Sequence, residues 1–388
     1  MTRSPDPSKD AEPAFAAGAD APGERAGAFR PGELAVVLAQ YDLGVVRSVR
    51  PFERGARAAP KALIQADRGR FLLKRRRPGD DDPVRVAAVH TLQIHLSERG
   101  FPLPQLVGLR STNNSMLQLD GAIYELFEHV EGVGYSRAAS PTADAGRWLA
   151  VFHRLAPNAE MPWAPPSGGY HASRRVASTL KAAAQRLGGD GAPIVLALDR
   201  LYRHAADRVE KRGARRWPRQ LIHGDWHAGN MLFHENGTVA AVLDYDNVRL
   251  APRVLDVAQG LAQFSINAPM PSGTRTVAKN TAPSDPRELW PARLDLDRLA
   301  WFVSGYAAGA SRREGGPGPL TSQERRAAPW LMIESLIAEA VEPVARTGQF
   351  LKASGPAFLR MIHDKAVWIA EHADSDIRRA LKTRRPPR

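Results

Sequence analysis

The chain contains no cysteine, so neither a disulfide nor a thiolate metal site can be part of its design. No apolar run reaches the length needed to cross a bilayer. The segment from Met1 to Arg30 is rich in Ala, Pro, Gly and Asp but has no continuous apolar stretch, and it is expected to be a disordered tail rather than a signal peptide. Acidic residues are also scarce, 41 against 54 Lys and Arg, for a formal net charge of +13. Phosphate groups would suit such a surface. The excess is scattered arginine with a terminal cluster from Arg378 to Arg388. No aromatic-interleaved or zinc-finger pattern accompanies it, so specific nucleic-acid recognition is not expected. The default expectation is a cytoplasmic enzyme, and its 388 residues suffice for two lobes with a sizeable core.

Chemistry concentrates in His223-Gly224-Asp225-Trp226-His227-Ala228-Gly229-Asn230, followed by the apolar run Ala240-Ala241-Val242-Leu243 and then Asp244-Tyr245-Asp246. Asp225 follows the short apolar segment Leu221-Ile222, which predicts a loop at a strand end where the carboxylate can take the proton of an acceptor alcohol. Asn230 can turn its carbonyl oxygen toward the same cleft. Met231 to His234 and Val239 to Leu243 read as strands around a Glu235-Asn236-Gly237 turn, which would return Asp244 to the site. A proton acceptor together with two oxygen ligands for a hard cation, Asn230 and Asp244, is what phosphoryl transfer from a magnesium nucleotide requires.

In residue type, order and spacing this segment resembles the signature of the aminoglycoside phosphotransferase and choline kinase superfamily: His-Gly-Asp, four residues, Asn, then a hydrophobic strand ending in Asp. Tyr41-Asp42-Leu43-Gly44 and Gly100-Phe101-Pro102-Leu103-Pro104 add a faint likeness to homoserine kinase and spore-coat kinase-like members. The resemblance implies an α+β, bilobal, protein-kinase-like fold. Its small N-terminal α/β lobe would cover residues 31–131, its larger, mainly helical lobe 132–375, and a basic tail 376–388. ATP is implied as co-substrate, Mg2+ as cofactor and a small-molecule alcohol as acceptor. In such a fold a lysine on the third strand holds the nucleotide phosphates, the place of Lys74 in Phe71-Leu72-Leu73-Lys74. A loop around Gly55 would cover the phosphates, and the connector Glu128-His129-Val130 would meet the adenine edge with its backbone. Asp256 matches the aspartate that braces the catalytic loop.

One departure from that pattern is visible. The helix expected over Val84 to Glu98 should carry a glutamate that pairs with the lysine, near Thr91, and no acid stands there. Gln93 is expected to hydrogen-bond Lys74 in its place. Arg76, two residues along the same basic run, is expected to be an exposed charge. His223 is expected as a buried, hydrogen-bonded support and His227 as packing or acceptor-side lining. A competing reading takes His223, Asp225 and His227 as a His-x-Asp-x-His metal set of a hydrolase, but it leaves Asn230 and Asp244 without a task. An inactive nucleotide-binding relative is the other alternative. Residues 268–291, rich in Pro, Ser, Thr and Asn, read as an insertion. Helices are expected over Leu299 to Ala310, Ser322 to Ala345 and Phe358 to Ala373, the second opened by a Thr321/Glu324 capping box. Glu334 and Glu339 on that helix are the candidate acids for the acceptor side.

Overall fold

The structure, a computed structural model, describes residues 29–52, 59–267, 291–311, 315–350 and 353–382. Gly55, the segment before residue 29, the 268–290 insertion and the end of the basic tail lie outside the described residues.

The small lobe runs α1 (Pro31–Leu38), β1 (Val46–Pro51), β2 (Lys61–Ala66), β3 (Gly69–Arg75), α2 (Pro83–Ser97), β4 (Leu117–Leu119) and β5 (Ala122–Glu128). Its five strands form an antiparallel sheet in the order β1-β2-β3-β5-β4. Alternation along the strands makes one face apolar. Ala62, Ile64, Phe71, Leu73, Tyr124 and Leu126 pack there beneath Val37 of α1 and the following Tyr41 and Leu43. Period two therefore sends Leu72 and Lys74 to the opposite face. Pairing of β3 with β5 sets Lys74 directly across from Glu125.

Asp82 starts α2 by accepting the amides of Val84 and Arg85, with Pro83 in the first turn, where its missing N–H is not needed. Val89, Leu92 and Leu96 of this helix belong to the core of the large lobe rather than to the small sheet. The helix next to the lysine is thus fixed to the larger body.

The large lobe comprises α3 (Ala139–Leu155), α4 (Arg174–Leu187), α5 (Ala192–Glu210), β6 (Arg219–Ile222), β7 (Met231–Phe233), β8 (Val239–Val242), β9 (Arg249–Pro252), α6 (Val254–Ser265), α7 (Leu296–Gly309), α8 (Ser322–Thr347), a short β10–β11 hairpin (Gln349–Phe350, Ala353–Ser354), α9 (Gly355–His372) and α10 (Asp376–Ala380). The expected capping box opens α8: Thr321 Oγ1 accepts the Glu324 amide and Glu324 accepts the Thr321 amide. A β-carbon on Gly146 of α3 would stand 2.1 Å from the Phe302 carbonyl oxygen, and one on Gly305 of α7 would stand 1.8 Å from that of Ala143. The two helices cross at backbone contact for that reason. Ile377 and Leu381 are buried in the main core, so the first turn of the basic C-terminal segment is part of the lobe. Among the described residues no helix is long and apolar enough to cross a membrane.

Candidate active site

Strand β6 pairs with β9 and delivers the chain to His223, while β7 and β8 form the expected hairpin behind the loop. Gly224 turns the chain with φ of 79°, and a β-carbon there would lie 2.3 Å from the Asn247 carbonyl oxygen. Buried Asp256, in the first turn of α6, accepts the amides of His223 at 2.6 Å and Gly224 at 2.8 Å. His153 fixes that carboxylate from α3 at 3.2 Å and contacts Tyr306 through its other nitrogen. Further along α6, Gln259 accepts the Trp226 amide at 3.0 Å. One helix therefore satisfies three loop amides that water cannot reach well.

His223 is wholly buried, but neither ring nitrogen has a hydrogen-bond partner among the described residues. This corrects the expectation of a hydrogen-bonded support. Its ring sits among Phe152, Trp226 and Tyr245 at centroid distances of 5.7, 5.3 and 5.1 Å. Burial lowers its pKa from the usual imidazole value, against the pull of Asp256 and Asp225. Burial favours the neutral ring, and packed among these aromatics it acts as a spacer. Among the described residues no group of three or more His, Asp and Glu is arranged to hold a metal ion.

Asp225 accepts from Asn230 Nδ2 at 3.1 Å and from Asn247 Nδ2 at 3.4 Å, and His227 Nε2 lies 3.5 Å away. His227 Nδ1 accepts the Gly229 amide, which leaves Nε2 as the proton-bearing nitrogen facing the carboxylate. Burial works to raise the Asp225 pKa, yet His227, His223 and the Asn230 hydrogen bond outweigh it and hold the carboxyl below its ordinary range. Asp225 is an anion in reach of a proton donor. With its nitrogen on Asp225, Asn230 carries its oxygen on the other side of the carboxamide. Asp244 follows β8 in the left-handed region, φ 61°, a strained choice for a residue with a side chain. Asp244 is exposed; loss of water around its carboxyl and then repulsion from Asp246 push its pKa up, Lys74 opposes them, and Asp225 adds to the rise.

Lys74 reaches this cluster from the small lobe, 3.4 Å from Asp246 and 3.6 Å from Glu125. Burial works against its charge, but Asp246 and Glu125 outweigh burial and raise its pKa. Gln93 is buried, and no bond from it to Lys74 is formed, so the expected carboxamide partner is replaced by two carboxylates. Arg76 corrects a second expectation. It is buried rather than exposed, 2.8 Å from Glu125 and 2.9 Å from Asp246. A run of basic residues looked solvated because the acids that receive it lie far along the chain.

A family model for the phosphotransferase enzyme family matches residues 48–291. The chain belongs to that family. Similar solved structures include an aminoglycoside phosphotransferase from Alicyclobacillus acidocaldarius, 16% identical with a TM-score of 0.60 over 90% of this chain and 95% of that one. A microcompartment-associated aminopropanol kinase is 15% identical with a TM-score of 0.62 over 89% and 98%. Choline kinase from Cryptosporidium parvum is 11% identical with a TM-score of 0.59 over 89% and 94%. No curated protein sequence matches the chain. The fold is that of the bilobal small-molecule kinases, as the motif implied.

Within this phosphotransferase fold two amides of the connector between lobes are already engaged. Glu128 donates its amide to Gln105 O at 2.8 Å and His129 donates to Arg70 O at 2.9 Å, so both amides are held inside the small lobe. Val130 follows them at the lobe boundary. Of the two acids on α8, Glu334 is buried and bound by His171 and the Ala172 amide. Glu339 is the one beside the catalytic loop. It accepts from Gln259 Nε2 at 2.9 Å, from Ser335 Oγ at 2.9 Å and from Gln263. Burial raises its pKa, the Gln259 hydrogen bond opposes this, and the nearby Asp225 charge adds to the rise. Sequence reasoning missed Glu125, Asp246, Asn247 and Gln259. Only Glu125 carried a signal, as a lone acid in the apolar strand Ile123-Tyr124-Glu125-Leu126-Phe127.

Proposed function

We propose that the protein transfers the γ-phosphoryl group of ATP to a hydroxyl of a small molecule. Asp225 is the base. Its anionic carboxylate takes the hydroxyl proton, the acceptor oxygen forms the bond to the γ-phosphorus, and the bond from that phosphorus to the β–γ bridging oxygen breaks to release ADP. Asn230 keeps Asp225 aimed by donating to it, and Lys74 holds the phosphates, with Gly55, Glu128 and Val130 around the nucleotide. Mg2+ fits the remaining donors: the Asn230 carboxamide oxygen and Asp244, whose repulsion from Asp246 and Asp225 a bound dication would relieve, and it would neutralise phosphate charge in the loose transition state. Two protein oxygens suffice because magnesium at nucleotide sites takes its other ligands from phosphate and water.

The observation that carries this reading is the convergence of Asn230 on Asp225 and of Lys74 on Asp246, whose amide donates to Asp244. Glu339 supports an acceptor with a cationic amine near its hydroxyl, since an anion beside the base would attract it and repel phosphorylated compounds. The aminopropanol and choline kinases of the same fold act on alcohols of that type by name. The test is ADP release from magnesium ATP across an acceptor panel. Amino alcohols should turn over and neutral polyols of equal size should not, and Glu339→Gln should raise the acceptor KM with little change in the KM for ATP. ATP binding without turnover of any acceptor would leave the inactive relative as the correct reading.

A further inference from the structure

The acid that the helix lacks is present on a strand. Lys74 and Glu125 stand opposite each other in the β3–β5 ladder, on the face turned away from the α1-covered apolar cluster. Glu125 is 1% exposed, and each of its oxygens is engaged. Oε1 meets Arg76 Nη2 at 2.9 Å and His90 Nε2 at 2.6 Å, while Oε2 lies 2.8 Å from Arg76 Nε and 3.6 Å from Lys74 Nζ. His90, one residue before the position where a helix acid was expected, is also buried and is fixed through Nδ1 to Ser115 Oγ at 2.7 Å. A helix that offers an imidazole instead of a carboxylate does not bind the lysine itself. It can bind the carboxylate that does.

We propose that Glu125 is the positioning residue of the phosphate-holding lysine, and that α2 reaches Glu125 through His90, beside the contact that Arg85 of the same helix makes with the Asp246 carbonyl. The proposal rests on the reading of Lys74 given above. Because the pair spans two adjacent strands, its spacing is set by the sheet ladder and not by where a helix sits. Arg76 takes the rest of the carboxylate and extends the same charge network to Asp246, two residues beyond Asp244. His90 links that network to a helix whose apolar side lies in the large-lobe core. The lysine is therefore placed relative to both lobes without an acid on the helix.

The test measures equilibrium binding of magnesium ATP without acceptor, alongside KM for each substrate, in the full chain. Lys74→Met and Glu125→Gln should each weaken nucleotide binding about tenfold or more, and Glu125→Asp should fall between Glu125→Gln and wild type, with acceptor KM unchanged. Decisively, Glu125→Gln should add nothing in the Lys74→Met background, because a residue that acts through the lysine is silent once the lysine is gone. A purely structural Glu125 would weaken binding by the same factor in both backgrounds, and that result overturns the proposal. If Glu125→Gln does not fold, His90→Ala and His90→Gln take its place. His90→Ala should weaken binding only when Lys74 is present, and His90→Gln, which keeps a donor toward Glu125, should restore most of it. An equal loss with and without Lys74 would refute the coupling. A silent Glu125→Gln beside a defective Lys74→Met sinks this proposal alone, whereas a silent Lys74→Met sinks the reading of the lysine with it.

Discussion

Asp225 and Lys74 belong to one charge cluster but are held there by different kinds of contact. The loop that carries Asp225 hangs on backbone amides: Asp256 and Gln259 of a single helix accept from His223, Gly224 and Trp226. Lys74 hangs on side-chain charges drawn from two separate stretches of chain, Glu125 on β5 and Asp246 after β8, and His90 of α2 holds Glu125 in turn. Amide acceptors fix a backbone path and leave the side chain of Asp225 open to chemistry. Paired charges in a buried setting fix a side chain, and they do so only while every partner is present.

The largest expected effect separates chemistry from placement. Asp225→Asn keeps the shape of the loop and its contacts with Asn230, but it removes the proton acceptor. Turnover should fall by about 10²–10⁴, with magnesium ATP affinity little changed in a direct binding measurement. Wild-type turnover in this variant would end the role of Asp225 as base and leave the loop as a scaffold only.

Arg76→Met tests the other half of the comparison. It leaves Glu125 and Asp246 facing each other in a buried site with only Lys74 between them. Breaking one member of a buried charge network costs about 3 kcal/mol, to be read from the shift of a urea midpoint at constant slope. An unchanged midpoint would mean that the network is wetter and looser than its distances indicate.

These two regions were also unequally legible. The loop residues lie within one short stretch, and the strand, loop and hairpin that carry them follow each other in sequence, so spacing alone singles out Asp225, Asn230 and Asp244 as candidates. Asp256, a short way downstream, is singled out by the family resemblance instead. The partners of Lys74 are not local: Arg76 is 49 residues from Glu125 and 170 from Asp246. Nothing in Arg75-Arg76-Arg77 states that the middle residue turns inward, because β3 pairs with β5 only after a helix and another strand have intervened. The expectations of an exposed Arg76 and of a Gln93 partner for Lys74 share that origin. Register between non-consecutive strands decides them, and composition does not encode it.

Gly224→Ala probes the amide-held half at its tightest point. Positive φ disfavours alanine, and the added carbon would meet the backbone oxygen of Asn247, which cannot rotate aside. A loss of about 2 kcal/mol in stability is expected, with reduced turnover because Asn247 also donates to Asp225. A fully active, equally stable alanine variant would show that the loop has room to move.

His223→Phe carries the smallest effect and the sharpest sign. If the imidazole is an aromatic spacer, phenylalanine fills the box formed by Phe152, Trp226 and Tyr245 at a cost below about 1.5 kcal/mol, and turnover at neutral pH should persist. The pH dependence then tells packing from proton chemistry. Burial lowers the folded-state pKa of His223 below its unfolded value near 6.5, so on acidification the unfolded chain binds a proton that the folded chain refuses. Stability associated with this histidine is complete above the unfolded pKa and is lost as pH falls below it toward the folded pKa. Phenylalanine has no such term. The stability of His223→Phe relative to wild type should therefore improve as pH is lowered from 7 to 5, about those limits of the imidazole range. His153, also lowered by burial, stays in both proteins and cancels in the difference. A pH-independent difference would mean that the ring is already protonated or solvated in the fold, and a large loss of turnover at pH near 7 would make it part of the chemistry after all.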